Sequence, residues 1–125
     1  TYHGVYFVNA LTDSPVTIRG SSVAALTDGV HFAAAVTRSP VTLTDVVVSG
    51  AEAGVMFAAG PLVGSDVALA GATVTAGTGH GVHALLTVTG KVTIAGGEVT
   101  ATAGSAVQLD TNAVTMTLFD RYFSL

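Results

Sequence analysis

The side chains that could perform acid–base chemistry are spread thinly along this chain of 125 residues, which has eight acids and four histidines. A site that cleaves a glycosidic bond needs two carboxyl groups within several ångströms of each other. No two of the acids stack in neighbouring repeats of the chain, so the sequence predicts no catalytic residues. The acids are Asp13, Asp28, Asp45, Glu52, Asp66, Glu98, Asp110 and Asp120.

The histidines are weak candidates for metal ligands. His31 and His83 occupy the same position of a repeat but lie two repeats apart, so about 9–10 Å would separate them at the spacing of paired strands. A zinc ion binds nitrogen at about 2.0–2.1 Å. His80 and His83 are closer in sequence, and we interpret them as a turn residue and a strand residue. The chain has no cysteine, which excludes a thiolate site. We therefore predict no metal and no cofactor.

One short motif recurs along the chain and points to the element that would position these side chains. Successive copies start 25, 25, 27 and 25 residues apart, which is the signature of a solenoid with one coil per repeat. The copies are Gly4-Val5-Tyr6-Phe7, Gly29-Val30-His31-Phe32, Gly54-Val55-Met56-Phe57, Gly81-Val82-His83-Ala84 and Ala106-Val107-Gln108-Leu109.

Alternation within the motif predicts a strand whose outer residues point inward and whose middle residue points outward. We therefore expect surface recognition by the middle residues Tyr6, His31, Met56 and His83. A second strand has the same alternation around a small polar residue. Its outward column is Thr17, Thr42, Ala68, Thr93 and Thr115. A regular threonine array could order water, as in ice-binding solenoids, although threonine is also a common outward residue of strands.

A third strand has Val23, Val48, Val74 or Val99 as its inward residue and follows a bend at Gly20, Asp45, Gly71 or Gly96. The sequence thus predicts an all-β, right-handed parallel β-helix: a three-sided solenoid of about five coils of about 25 residues. An antiparallel sandwich is the competing fold, but it gives no reason for columns that match in one direction. We place the coils in residues 1–118, with repeats starting at 4, 29, 54, 81 and 106, and an aromatic capping segment in residues 119–125.

The register of the repeats predicts specific contacts. Phe7, Phe32 and Phe57 should form a stacked ladder. Asp13 should pair with Arg38, and Asp66 with Lys91, across neighbouring coils. We expect the glycine-rich stretch 77–81 to absorb the two extra residues of the 27-residue repeat.

Composition limits the partners. Half of the residues are hydrophobic and 10% are charged, but no apolar run is long enough for a transmembrane helix, so we expect no membrane insertion. The net charge is −4, with only Arg19, Arg38, Lys91 and Arg121 as fixed cations, which argues against nucleic acid as a partner. Because residue 1 is threonine and residues 1–3 are too few to cap the first coil, we expect a piece of a larger chain or a subunit of a homo-oligomer, a trimer being one form.

The repeats from Gly29-Val30-His31-Phe32 to Val41-Thr42-Leu43-Thr44, and from Gly81-Val82 to Val92-Thr93-Ile94-Ala95-Gly96-Gly97, resemble the right-handed β-helix passenger domains of pertactin-like autotransporters. The resemblance implies a secreted bacterial surface protein whose helix acts as a stalk or adhesive shaft. Phage tailspikes and capsid decoration proteins use similar coils, usually as trimers.

We therefore expect a non-catalytic structural or adhesive β-solenoid on a bacterial cell or a virion, with a host surface or a polysaccharide as partner. The alternatives are a carbohydrate-binding or carbohydrate-cleaving β-helix enzyme and an ice-binding solenoid.

Overall fold

The computed structural model describes residues 3–58, 62–85, 88–89, 91–109 and 115–118. These residues form 18 short strands and no helix. Consequently no helix in the described part of the chain could span a membrane. All pairings between strands are parallel, and the chain winds through about four turns of a β-solenoid. The predicted fold class is confirmed and the antiparallel sandwich is wrong; the right hand of the coil and the number of five coils stay predictions.

Each turn of the chain visits four sheets in the same order. Sheet 1 contains β1 (Val5–Phe7), β5 (Val30–Phe32), β9 (Val55–Phe57), β13 (Val82–Ala84) and β17 (Val107–Leu109). Sheet 2 contains β2 (Leu11–Thr12), β6 (Val36–Thr37), β10 (Leu62–Val63) and β14 (Val88–Thr89). Sheet 3 contains β3 (Val16–Arg19), β7 (Val41–Thr44), β11 (Val67–Ala70), β15 (Lys91–Ala95) and β18 (Thr115–Leu118). Sheet 4 contains β4 (Ser22–Ala25), β8 (Val47–Gly50), β12 (Thr73–Ala76) and β16 (Glu98–Ala101).

Sheet 2 is the part of the coil that the sequence did not predict. Its strands are only two residues long and lie where we expected a variable turn, so each of the first four coils has four strands rather than three. Val36, in β6, is nevertheless 1% exposed, and Leu11 packs against the same core. Two residues are too few to display an alternation, which explains why periodicity missed this sheet.

Identical or similar residues stack on one another through the interior. Val30 pairs with Val5 on one side and Val55 on the other, and Val48 pairs likewise with Val23 and Val74. The predicted aromatic ladder is confirmed: the ring centroids of Phe7 and Phe32, and of Phe32 and Phe57, are 4.6 Å apart with nearly parallel planes. Parallel pairing thus fills the core with repeated columns of β-branched and aromatic side chains.

Left-handed residues turn the chain at two corners. Between sheets 3 and 4 the corner residues Gly20, Asp45, Gly71 and Gly96 all have positive φ, between 51° and 68°, as the glycine and aspartate pattern predicted. Between sheets 2 and 3 the equivalent residues are Asp13, Arg38 and Gly64. Ser39 and Ser65 follow this second corner, and both are fully buried. The Ser65 hydroxyl accepts the backbone N–H of Ser39, and the Ser39 hydroxyl accepts that of Ser14, so the serines link successive coils.

The 27-residue repeat does not place both of its extra residues in the glycine-rich stretch. Phe32 pairs with Phe57 at an offset of 25, but Val36 pairs with Leu62 at an offset of 26, so one residue is added between sheets 1 and 2. The second is added after β12, because Val48 still pairs with Val74 at 26 whereas Val55 pairs with Val82 at 27. Our expectation for residues 77–81 was therefore half wrong.

The last strand of sheet 3 also differs from the expected register. Thr117, not Thr115, pairs with Thr93, while Thr115 pairs with Lys91. Placing Thr115 in the threonine column was therefore wrong by two residues, because the connection from β17 to β18 is longer than the short turn that we assumed. The capping segment 119–125 lies outside the described residues.

Candidate histidine and aspartate site

Two positions of each coil meet at the start of sheet 1, where the chain enters the strand. One is the residue immediately before the recurring glycine, and the other is the outward middle residue of the strand. The first column comprises His3, Asp28, Ala53, His80 and Ser105; the second comprises Tyr6, His31, Met56, His83 and Gln108. The columns adjoin because these residues are three positions apart around a glycine bend.

Asp28 is the buried charge of this region. It is 4% exposed, and its Oδ1 accepts a hydrogen bond of 3.2 Å from the backbone N–H of Ala53 in the next coil. Its Oδ2 lies 2.6 Å from Nδ1 of His31 and 3.6 Å from Nδ1 of His3. No lysine or arginine of the described residues forms an ion pair with it. A buried carboxylate needs compensating charge or donors, and here the N–H of Ala53 and the ring of His31 are its hydrogen-bond partners, with His3 nearby.

His31 is half-buried and partnered rather than a free outward residue. Its side chain is 14% exposed and forms the short hydrogen bond with Asp28. Because an ionised carboxylate can only accept, Nδ1 of His31 donates this bond. His31 lies on the outer side of its strand, as predicted, but the expectation that no group is close enough to build a site there is wrong. The partner of His31 is an acid three residues before it rather than a histidine of the same column.

His3 completes the cluster from the preceding coil. Its Nδ1 is 3.0 Å from the hydroxyl of Thr27, and its ring centroid is 4.3 Å from that of His31. Tyr6 contacts both rings, at 4.7 Å from His3 and 5.1 Å edge-on to His31, while remaining 49% exposed. The structure thus joins two predicted recognition residues, Tyr6 and His31, through two residues that the sequence analysis did not select.

His3, Asp28 and His31 form the group with metal-binding potential in the described part of the chain. Each offers one possible ligand atom, and these atoms all lie within 4.8 Å of one another. Imidazole nitrogen and carboxylate oxygen are ligands that zinc accepts. The signal was available in the sequence: His3 and Asp28 are one repeat apart, and Asp28 and His31 are three residues apart beside a glycine.

His80 and His83 occupy the same two columns as Asp28 and His31, with a histidine in the place of the acid. Nδ1 of His80 accepts the backbone N–H of Ser105 at 2.8 Å, as Asp28 accepts that of Ala53. A ring whose Nδ1 accepts carries its proton on Nε2. The His80 and His83 rings meet edge to face at 4.6 Å. Asp28 and His80, in the column before sheet 1, thus each accept a backbone hydrogen bond from the next coil through a side chain.

The remaining predicted recognition residues are separated from the cluster. Met56 lies between His31 and His83 in the outward column of sheet 1 and is half-buried. Thr17, Thr42 and Thr93 are on sheet 3, where Thr17 is exposed and the other two are half-buried. The side chain of Thr115 lies outside the described residues. Ala68 interrupts the threonine column, as expected.

The two predicted ion pairs have different outcomes. Arg38 donates from Nε to Oδ1 and from Nη2 to Oδ2 of Asp13, at 2.7 and 2.9 Å, which confirms the first pair. The hydrogen bond from Arg38 holds the pKa of the Asp13 carboxyl below its ordinary value, and Asp13 raises the pKa of Arg38. Asp66 does lie beside Lys91, but its carboxylate accepts the backbone N–H of Lys91 at 2.9 Å.

No family model, curated protein or solved structure matches this chain. The strand pairing shows a β-solenoid built from sequence repeats and does not assign the chain to a family.

Proposed function

We propose that this protein is a non-catalytic structural or adhesive β-solenoid displayed on the surface of a bacterial cell or a virion. The observation that supports the proposal is the in-register stack of coils, in which the interior columns repeat while the outward column of sheet 1 changes from coil to coil. Stacked coils make a quasi-one-dimensional body with an extended side surface. A pertactin-like passenger or a phage tailspike would use such a body as a shaft.

The outer side of sheet 1 is the part of that surface best suited to recognition. Tyr6 is 49% exposed, and the column beside it contains Val8 and Leu85, which are 61% and 39% exposed. An exposed tyrosine next to apolar side chains offers one apolar and one hydrogen-bonding surface. That combination fits a polysaccharide or a host-cell glycan as partner.

Binding to a polysaccharide panel, with an assay for chain cleavage on the same samples, tests the proposal. We expect at least one polysaccharide to bind and none to be cleaved. Tyr6→Ala should weaken binding by about tenfold or more, as loss of an aromatic anchor does. Val47→Ala is the control, because Val47 is also 49% exposed but lies on sheet 4. New reducing ends or unsaturated sugars would establish the carbohydrate-cleaving alternative and overturn the non-catalytic proposal.

Light scattering distinguishes the two display sites, since a trimer favours the virion and a monomer favours a cell-surface shaft.

Ice binding is the second alternative and is supported by the threonine column of sheet 3. Only one of the four coils with described side chains there, that of Thr42 and Thr44, presents two outward threonines. Thermal hysteresis that disappears in Thr42→Tyr would support ice binding against adhesion.

A further inference from the structure

We propose that His3, Asp28 and His31 form a binding site for a zinc ion that links the first two coils. The ligands come from both coils: His3 precedes β1, whereas Asp28 and His31 flank the start of β5. The site adjoins the recognition surface proposed above and shares Tyr6 with it, but zinc binding does not rest on what that surface recognises.

The three possible ligand atoms all lie within 4.8 Å of one another, and the two pairs that include Asp28 are close to the spacing that one ion requires. Zinc binds nitrogen and oxygen at about 2.0–2.2 Å, so two ligands at tetrahedral angles lie about 3.3 Å apart. Nδ1 of His3 and Oδ2 of Asp28 are 3.6 Å apart. The 2.6 Å between His31 and Asp28 is a hydrogen-bond distance. Zinc binding would replace the shared proton with the metal and widen this pair by several tenths of an ångström, releasing the proton to solvent.

Charge and burial favour a cation at this position. Asp28 is buried with no lysine or arginine in ion-pair contact among the described residues, and two imidazole rings lie beside its Oδ2. A divalent ion would offset the carboxylate charge. The His3 and His31 side chains are 23% and 14% exposed, which leaves access for the ion and for a water molecule as fourth ligand.

The supporting contacts hold the ligands in place before the ion arrives. The N–H of Ala53 fixes Oδ1 of Asp28 and leaves Oδ2 toward the imidazoles. The ring of Tyr6 packs against both histidines on the outer side. Outer contacts of this kind orient ligands, and their loss typically weakens metal binding by about 10–100-fold. Two imidazoles and one carboxylate, none of them a soft thiolate, suit zinc in preference to a soft ion such as copper(I).

Calorimetric titration of the untagged chain of 125 residues with zinc chloride tests the site, because a polyhistidine tag would itself bind the ion. We expect one zinc per chain with a micromolar or tighter Kd. His3→Ser, Asp28→Asn and His31→Gln should each weaken binding by at least about tenfold. Each replacement is conservative here: Ser105 and Gln108 occupy the equivalent positions of another coil, and asparagine retains an acceptor for Ala53. His83→Gln, in the same column, is the control and should change the Kd by less than about twofold.

Histidine ring nitrogen spectra of the same samples provide a readout that does not depend on folding stability. Zinc should shift the ring signals of His3 and His31 and leave those of His80 and His83 in place. Equal binding by the His31→Gln variant, or no saturable binding below millimolar zinc, would overturn the proposal and leave the cluster as a structural hydrogen-bond network. Circular dichroism of each metal-free variant verifies that a lost signal is not a lost fold.

Discussion

Asp28 has a structural role in addition to any role in metal binding, because it satisfies groups in two coils. It accepts from the backbone of Ala53 and from the ring of His31 while almost fully buried. Removing a buried acceptor leaves its donors unpaired, which costs about 1–3 kcal/mol for each group. The side chain before the recurring glycine can therefore form a hydrogen bond to the next coil. The acceptor of that bond is a carboxylate at Asp28 and an imidazole nitrogen at His80.

The exposed pair of Asp13 and Arg38 predicts a measurable pH effect. The pKa of Asp13 in the folded chain is below its ordinary value of 3.8, chiefly because of the hydrogen bond from Arg38. A carboxyl with a lowered folded pKa adds stability above pH 3.8, and that stability is lost as the pH falls through the folded pKa. In Arg38→Gln, we expect the Asp13 pKa, followed by carboxyl NMR, to rise toward 3.8. A titration curve unchanged by this substitution would contradict the pairing.

At the scale of the strand, the aromatic column sets the stability of sheet 1. Phe32 is 1% exposed and stacks on Phe7 and Phe57. We expect Phe32→Ala to lower the free energy of unfolding by about 3–5 kcal/mol, as for other large-to-small changes in a core. Urea unfolding measures the loss. Tyr6→Ala removes a ring from the outer side of the same sheet and should cost less than about 1.5 kcal/mol. A loss below about 1 kcal/mol for Phe32→Ala would mean that the column is not interior.

The glycine before the first four strands of sheet 1 is required by close packing, whereas the corner glycine is required by backbone conformation. Gly29 lies in a bend, but its φ is not positive, so backbone conformation does not require glycine there. Instead, a Cβ there would collide with the Val48 side chain and come within 2.8 Å of the Gly54 carbonyl oxygen. Gly20 has a φ of 56° and nothing within 4 Å of such a Cβ.

These two glycines therefore respond differently to substitution. Gly29→Ala should cost about 2–3 kcal/mol, because the coils can separate only by losing core contacts. Gly20→Asp should cost less than about 1 kcal/mol, since aspartate tolerates a left-handed conformation and Asp45 has it at the equivalent corner. Thermal or urea unfolding of the two variants compares the costs. Similar losses in both would show that packing around Gly29 is looser than the structure indicates.

At the scale of the whole molecule, the sequence predicted what is periodic and missed what is not. The inward columns of sheets 1, 3 and 4 followed from alternation within a 25-residue repeat, because stacking in register selects the same side chain in each coil. The strands of sheet 2 are too short to show alternation, and the connection to β18 has an irregular length. The sequence therefore predicted neither sheet 2 nor the register of β18. The histidine cluster escaped for another reason: it joins residues before and within a strand, and a search along one column does not compare neighbouring columns.

A chain built in this way should tolerate the loss of one whole coil. Deleting residues 29–53 joins Asp28 to Gly54, which repeats the junction of Ala53 with Gly54 and lets Val5 stack on Val55 as it did on Val30. Stability in a repeat protein is approximately a sum over repeats and their interfaces, so the shortened chain should fold with lower stability. Its urea m-value should fall by about one-fifth, in proportion to the surface that unfolding exposes.

Deleting residues 29–41, about half a coil, is the matched control. It joins the end of sheet 4 to the middle of sheet 3, so the inward columns no longer meet their counterparts, and we expect circular dichroism to show an unfolded chain. If the half-coil deletion folded as well as the whole-coil deletion, in-register stacking would not be the source of stability.

The whole-coil deletion also removes His31 while retaining His3 and Asp28. It should therefore lose tight zinc binding while keeping its fold. That result would show that folding depends on stacking in every coil, whereas zinc binding depends only on the contact between the first two coils.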